Sequence, residues 1–170
     1  LSGGKHSTAL AIYLRDRIPD LEYVFCDTEK ELPETYDYLA RLEAYLGQPI
    51  VRLRHDGRNF DHWLIVYGSY LPSPRARWCT KHLKLQPFER YVGDDPVRNY
   101  IGIRADEERQ GYISHRANIT PVYPFKEAGI ARADVMRLLD SSGLGLPDYY
   151  RWRSRSGCYF CFFQQRIEWV

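Results

Sequence analysis

The chain opens with Leu1-Ser2-Gly3-Gly4-Lys5-His6-Ser7, a glycine-rich stretch that leads directly into a segment with helical spacing. Adjacent glycines let the backbone turn tightly and approach an anion without a Cβ in the way. The free amides and the partial positive charge at a helix start can then hold a phosphate. Two serine hydroxyls and one lysine add donors, so the stretch predicts a phosphate-binding loop. The alternative is an ordinary glycine-rich turn that caps a helix.

Strands and helices are predicted to alternate along most of the chain. The predicted strands are 21–26, 49–54 and 97–103, with extended backbone at 119–123. The predicted helices are 7–17, 33–46, 59–67, 80–91 (capped by Thr80) and 131–139, with a loop at 68–77. This alternation favours an α/β fold in which a parallel sheet is sandwiched by helices. Ligands of such sheets bind beyond the carboxyl ends of the strands, where the opening loop, Asp27-Thr28 and segment 104–107 fall.

Length and composition suit one globular domain. The 170 residues are 44% hydrophobic and 27% charged, and no apolar run reaches the roughly 18 residues that a membrane-spanning helix needs. The net charge of +2 argues against a strongly basic nucleic-acid binder on bulk charge, although basic segments at 75–84 and 151–155 lie beside cysteines. The alternative interpretation is that these two segments are ordinary basic surfaces exposed to solvent. We expect 1–170 to be a single domain and a piece of a longer protein, lacking a first strand and a C-terminal extension.

Four cysteines are unevenly spaced in a chain that shows no secretory leader. This pattern does not resemble a disulfide framework. Metal binding or redox chemistry in a reducing compartment is the expectation, and with it a cytoplasmic location and no membrane partner. Cys26 falls in a predicted buried strand and is interpreted as a small core residue.

Four further segments follow the loop in a definite order. They are Phe25-Cys26-Asp27-Thr28-Glu29 with Leu32-Pro33-Glu34-Thr35, the cysteine-bearing stretch from Arg77 to Pro87, Gly102-Ile103-Arg104-Ala105-Asp106-Glu107 with Arg109, and Gly157-Cys158-Tyr159-Phe160-Cys161. With the loop, they resemble the phosphoadenosine phosphosulfate (PAPS) reductase family of the PP-loop ATP pyrophosphatase superfamily. DNA phosphorothioation sulfur-transfer proteins are similar. The resemblance implies an adenine nucleotide α-hydrolase-like (HUP, Rossmann-like) fold with a mainly parallel, five-stranded sheet.

The resemblance and the residue types together predict a nucleotide site for ATP or for PAPS/APS. Arginines after a strand end bind oxyanions with a forked guanidinium, and nearby carboxylates orient them or meet a ribose. The predicted nucleotide-binding residues are Ser2, Gly3, Gly4, Lys5, His6, Ser7, Asp27, Thr28, Lys84, Arg104 and Arg109. The predicted catalytic residues are Lys5, Arg104 and Glu107.

His6 departs from the family pattern, which has an aspartate at this point of the loop. A carboxylate there would help to hold Mg²⁺, whereas neutral imidazole is a poor ligand for this hard cation. Mg²⁺ is therefore a possible cofactor that His6 does not favour. The expected role of His6 is to donate, as imidazolium, to a phosphate. The alternative is a solvent-facing residue without a role.

Three cysteines suggest a metal centre. Sulfonucleotide reductases of the iron–sulfur type hold a [4Fe–4S] cluster with a Cys-Cys pair and a CxxC, and resemblance to them assigns Cys79, Cys158 and Cys161 to a cluster with one open iron. Trp78 stands where the second cysteine of the pair would be. With His82, the same cysteines make a Cys₃His set that is a plausible zinc site. The third reading is buried thiols without metal.

Three functions follow from these sites. The leading one is ATP-dependent adenylation and thiolation with pyrophosphate release, with DNA or tRNA as acceptor and a sulfur donor such as a cysteine desulfurase. The second is sulfonucleotide reduction with sulfite release and a thioredoxin-type reductant. That reaction needs a further cysteine nucleophile, and none follows Cys161. The third is a non-catalytic nucleotide-binding module of a nucleic-acid modification or defence complex.

Overall fold

The structure, a computed structural model, describes residues 1–111 and 114–169. Its helices are α1 (Lys5–Arg15), α2 (Pro33–Leu46), α3 (Phe60–Val66), α4 (Trp78–Thr80), α5 (Gln86–Val92), α6 (Pro124–Glu127) and α7 (Arg132–Ser141). Its strands are β1 (Tyr23–Cys26), β2 (Ile50–Leu53), β3 (Val97–Tyr100) and β4 (Ile119–Val122). A π-helical stretch (Lys81–Leu85) joins α4 to α5, and 3₁₀ turns lie at Asp148–Arg151 and Arg166–Trp169. The alternation of parallel strands and helices confirms the α/β prediction.

The strands of the described residues form two parallel pairs rather than one five-stranded sheet. β1 pairs with β2, with Tyr23 opposite Ile50. β3 pairs with β4, with Val97 opposite Ile119. A cavity of about 850 Å³ lined by residues of β1 and β3 lies between the two pairs.

Helix α1 connects the two halves of the core. Leu10 and Leu14 on one side pack in a cluster with Phe125, Val135 and Leu139. Ala11 joins the other cluster, which is built from α2, β1 and β2. Each fully buried large side chain contributes about 1.5–3 kcal/mol by leaving water, so α1 is fixed from both sides. The loop that precedes α1 is consequently anchored to the core.

The cysteine-bearing helix differs from the predicted one. The helix begins at Trp78, so Thr80 is a helical residue and makes no side-chain cap; its prediction as the cap is wrong. Pro87 lies at the start of α5, directly after the π-helical stretch. Proline lacks an N–H and its ring clashes with the preceding turn, and a wider turn before it accommodates both effects. The helix therefore continues through Pro87.

Other boundaries shift by a few residues. Helix α1 begins at Lys5, two residues before the predicted start. Strand β3 ends at Tyr100 instead of residue 103, because the amide of Ile103 donates to the carbonyl of Ile101 at 2.9 Å in a tight turn. This turn directs the following Arg104 toward the loop. No helix in the described part of the chain is long and apolar enough to cross a membrane.

Candidate functional site

The two serine hydroxyls hold the opening loop in shape. Ser2 Oγ lies 3.0 Å from Ser7 Oγ, and the Ser7 hydroxyl donates to the carbonyl of Gly4 at 3.0 Å. The Tyr149 hydroxyl, which is buried, donates to the carbonyl of Gly3 at 2.8 Å. These bonds place the start of α1, with its first-turn amides, at the wall of a cavity.

Glycine is required at both central positions of the loop. Gly3 has φ of +66°, and a Cβ there would lie 2.6 Å from Thr35 Cγ2. A Cβ on Gly4 would lie 2.4 Å from the Ser156 hydroxyl oxygen. Since real Cβ atoms do not approach neighbours this closely, side chains here would displace the loop.

Replacing Gly3 with alanine is expected to lower the free energy of unfolding by about 2–4 kcal/mol, because strained φ and steric overlap add. Gly47→Ala is the matched control, since Gly47 also has φ of +66° but a Cβ added to it would meet nothing within 4 Å. The control is expected to lose about 1 kcal/mol from φ alone. Urea unfolding of both variants checks this. Equal losses would show that Thr35 does not restrict the loop.

Cationic side chains surround the cavity beside the loop. The cavity has a volume of about 930 Å³ and is lined by Lys5, Arg104, Arg109 and Arg132. Burial, together with the positive charges of Arg132 and Arg104, lowers the pKa of the Lys5 amine. Mutual repulsion among these cations is relieved when an anion binds between them. An oxyanion between these side chains would therefore be stabilised by their charges.

His6 links the loop to the segment after β3. Its Nε2 lies 2.7 Å from Arg104 Nη1, and its Nδ1 lies 3.7 Å from Glu107 Oε1. Burial and the charge of Arg104 lower the pKa of His6 to about 4, so the ring is neutral at pH 7. Because a guanidinium only donates, Nε2 is the acceptor. His6 is therefore an acceptor for Arg104 in the ligand-free protein, and its predicted donation to phosphate stays a prediction.

Glu107 orients the arginines, as its proximity in sequence suggested. Its Oε1 lies 3.0 Å from Arg104 Nη1, and its Oε2 accepts from Arg109 Nε at 2.9 Å. Arg104 also donates to Asp106 at 2.7 Å. Arg104 is thus held by His6, Glu107 and Asp106, and its guanidinium group lies beside the loop.

Asp27 has a structural role instead of the predicted contact with a ribose or a metal. Its carboxylate is buried and accepts from the Tyr36 hydroxyl at 2.7 Å, the Glu29 amide at 2.9 Å and the Arg54 guanidinium at 2.8 Å. Burial alone would raise the pKa of Asp27, but these bonds lower it. Its neighbour Thr28 does line the cavity and donates to Glu31 at 3.0 Å.

The cysteines of the predicted metal centre line the same cavity as the loop. They are Cys79, Cys158 and Cys161, and Cys26 also reaches its wall. Burial raises the pKa of Cys79 and raises that of Cys158 to about 12, and a thiolate at Cys161 would raise both further. Burial would lower the pKa of the nearby Lys84 amine, but the Glu31 carboxylate raises it, so Lys84 is a cation beside the thiols. The structure therefore joins the loop and the cysteines in one site.

The donor chemistry of three thiols suits a soft metal, but their arrangement does not form a ligand set. Within 1–111 and 114–169, no group of three or more His, Cys, Asp or Glu side chains is arranged to hold a metal ion. His82 stacks on Trp63, and its ring nitrogens lie 2.9 Å from Gln86 Oε1 and 3.1 Å from the Tyr67 hydroxyl. This geometry does not support His82 as a fourth ligand.

Several residues of the site were not predicted from the sequence. Arg153 is buried and donates to the carbonyls of Gly157 at 2.8 Å and Cys158 at 3.0 Å, which fixes the CxxC turn. The Tyr150 ring lies under the Lys5 amine, 4.8 Å from its centroid. Glu31 is buried in the cavity wall. Only the basic segment at 151–155 gave a signal, since it placed Arg153 beside the cysteines.

The profile of the phosphoadenosine phosphosulfate reductase domain matches residues 1–127 of the chain, which is most of its length. The chain belongs to this family. The motifs that carried the resemblance, from the loop to the Arg104 segment, fall inside the matched residues, whereas the CxxC lies beyond them.

Family membership agrees with the fold. The crystal structure of PAPS reductase from Candida auris, a phosphate complex, superposes with a TM-score of 0.74 at 14% identity, covering 95% of this chain and 80% of that one. At this identity the likeness shows the shared fold alone.

Relatives in sequence are two proteins of Methanocaldococcus jannaschii, MJ0066 and MJ0973, and the nin region protein ORF290 of phage lambda. MJ0066 is 29% identical over 94% of this chain and 35% of its own length, and MJ0973 is 27% identical over 94% and 40%. ORF290 is 29% identical over 64% of this chain and 48% of its own length. The chain thus spans between a third and a half of the length of these relatives.

Proposed function

We propose that the chain binds an adenine nucleotide at its opening loop and uses it for sulfur transfer. In this reaction ATP adenylates an acceptor, pyrophosphate leaves, and sulfur then replaces AMP. The observation that supports the proposal most is one cavity of about 930 Å³ that is lined by the loop, by six lysines and arginines and by four cysteines. Nucleotide phosphates and thiols would therefore meet in one place.

The cationic side chains account for phosphate binding. Phosphate oxygens accept from the first-turn amides of α1 and from Lys5. Arg104, whose Nη1 is held by His6 and Glu107, adds its positive charge beside the same group. Because these cations repel one another, they favour the anion that neutralises them, including the charge that develops on departing pyrophosphate.

The cysteines account for sulfur delivery. A partner such as a cysteine desulfurase loads one cysteine as a persulfide, and its terminal sulfur attacks the adenylated atom and displaces AMP. A second cysteine then attacks the carrier sulfur, which forms a disulfide and frees the thiolated product. A thioredoxin-type reductant restores both thiols. Burial raises the pKa of Cys79 and Cys158, and the positive charge of Lys84 beside them offsets part of this effect in favour of the thiolate that each attack requires.

Pyrophosphate release from ATP tests the proposal. We expect release above background only with an acceptor such as single-stranded DNA or tRNA, repeated turnover only when a persulfide donor is also present, and loss of release in Lys5→Ala. Arg17→Ala is the matched control, because Arg17 is exposed at the other end of α1. Nucleotide binding without turnover under every condition would overturn the proposal and favour a non-catalytic nucleotide-binding module.

One observation favours sulfonucleotide reduction as a second candidate. The loop holds a neutral His6 among cations, which suits a sulfonucleotide bound without a divalent ion. Sulfite release from PAPS or APS, with thioredoxin as reductant, distinguishes this candidate from adenylation. The [4Fe–4S] cluster stays a prediction from the resemblance, and analysis of iron, sulfide and zinc after anaerobic purification tests it.

A further inference from the structure

Positive charge is concentrated in two segments that contain no carboxylate. Residues 62–88 and 149–167 together carry eight lysines and arginines and no aspartate or glutamate, although the whole chain has a net charge of only +2. The remainder of the chain is consequently net acidic. These cations are Arg75, Arg77, Lys81, Lys84, Arg151, Arg153, Arg155 and Arg166.

The fold brings the two segments together through contacts between arginines and phenylalanines. The guanidinium carbon of Arg77 lies 5.1 Å from the ring centroid of Phe163, and that of Arg155 lies 4.7 Å from the same ring. Both arginines are exposed, and Phe163 is 42% exposed. No carboxylate in the described parts of the chain lies within 4 Å of either guanidinium, so both keep their charge available.

Two more aromatic rings are exposed in the same segment. Trp152 is 51% exposed and Tyr159 is 48% exposed. The exposed Phe163 ring, which lies next to two uncompensated guanidinium groups, suggests a ligand that has both flat faces and negative charge. We call Arg77, Arg155 and Phe163 the Arg–aromatic surface.

The Arg–aromatic surface continues into the candidate nucleotide site. Arg155 and Phe163 line the same cavity as Lys5 and Cys161. A polymer bound on this surface would therefore lead one of its residues toward the loop and the cysteines.

We propose that the Arg–aromatic surface binds single-stranded nucleic acid, which serves as the acceptor of sulfur. The role of the nucleic acid as sulfur acceptor rests on the proposed function, whereas its binding to this surface does not. Phosphates of the strand pair with Arg77 and Arg155, and unpaired bases stack on Phe163 and its neighbours. Acidic protein segments satisfy the charge but leave the ring faces without flat partners, and double-stranded DNA keeps its bases inside the helix.

Fluorescence anisotropy with a labelled single-stranded oligonucleotide of about 20 residues tests this. We expect binding that weakens as salt rises, with Arg77→Ala reducing the salt slope by about one unit. Phe163→Ala is expected to weaken binding about 5- to 100-fold, because stacking contributes about 1–3 kcal/mol per base, and Phe163→Trp is expected to retain it. The matched control is Arg17→Ala, which removes an exposed arginine that stacks on Tyr13 at 4.0 Å, at the other end of α1.

Three results would overturn the proposal. They are the absence of binding, equal loss in Arg17→Ala and Arg77→Ala, and displacement of the oligonucleotide by inorganic polyphosphate together with an unchanged affinity of Phe163→Ala. Circular dichroism confirms that each variant is folded. Two measurements separate this proposal from the proposed function. If Arg104→Ala still binds the oligonucleotide and the wild-type chain binds no mononucleotide, the proposed function is wrong, whereas nucleic-acid binding by the Arg–aromatic surface is retained.

Discussion

Replacing Arg104 with alanine is expected to weaken binding of an adenine nucleotide about 100-fold at pH 7. Arg104 is only 14% exposed and donates to His6, Asp106 and Glu107, so its loss removes a charged donor and leaves Glu107 poorly compensated beside the phosphates. A charged hydrogen bond contributes about 1.5–3 kcal/mol, and repulsion from Glu107 adds to this. Isothermal titration calorimetry with ATP and with PAPS measures the change.

Two further variants make the Arg104 result specific. Arg104→Lys keeps the charge but loses the fork, so an intermediate affinity is expected. Arg137→Ala, which removes an arginine paired with Asp134 on the exposed side of α7, is expected to leave affinity unchanged. An affinity of Arg104→Ala within about twofold of the wild type would contradict the placement of the phosphates.

The second large effect is expected from His6→Asp. The wild-type ring is neutral at pH 7, so the loop contributes no negative charge and nucleotide affinity should change little when Mg²⁺ is added. An aspartate would neutralise Arg104 and supply an oxygen ligand that suits Mg²⁺. We therefore expect His6→Asp to weaken binding about tenfold or more without Mg²⁺ and to recover much of it when Mg²⁺ is present.

His6→Gln is the control for this experiment, because its side-chain oxygen accepts from Arg104 without adding charge. We expect it to bind nucleotide nearly as well as the wild type and without dependence on Mg²⁺. If the wild-type chain itself requires Mg²⁺ for tight binding, or if His6→Asp remains independent of it, the role given to His6 is wrong.

Much of the fold was predictable because its signals are local. Helix α2 was predicted at its exact bounds, since proline at the start of a helix (Pro33) and glycine after its end (Gly47) are strong start and stop signals. The continuous helix through Pro87 was not predictable, because the π-helical stretch that accommodates the proline depends on packing around Trp78 and Leu83. The early end of β3 likewise depends on the tight turn in which the Ile103 amide donates to the Ile101 carbonyl. No proline or aspartate marks this turn in the sequence.

The site was predictable as a set of motifs but not as a set of contacts. The loop, Arg104 and the three cysteines were each identified from sequence, and they line one cavity. The role of Asp27 was missed because its partners Tyr36 and Arg54 come from α2 and from the end of β2, and their convergence is tertiary. The neutral state of the His6 ring in the ligand-free protein was not predictable for the same reason, since Arg104 is 98 positions away in sequence.

Direct binding of nucleotide to the wild-type chain tests the central claim most simply. Calorimetric titration of the chain with ATP and with PAPS, without divalent ions at pH 7, should show one site with a Kd of about 100 μM or tighter. Lys5→Ala, which removes the loop cation from the cavity, should abolish that binding, whereas Arg17→Ala should not. The absence of binding to both nucleotides, or binding that is indifferent to Lys5, would contradict the assignment of the opening loop as the phosphate site.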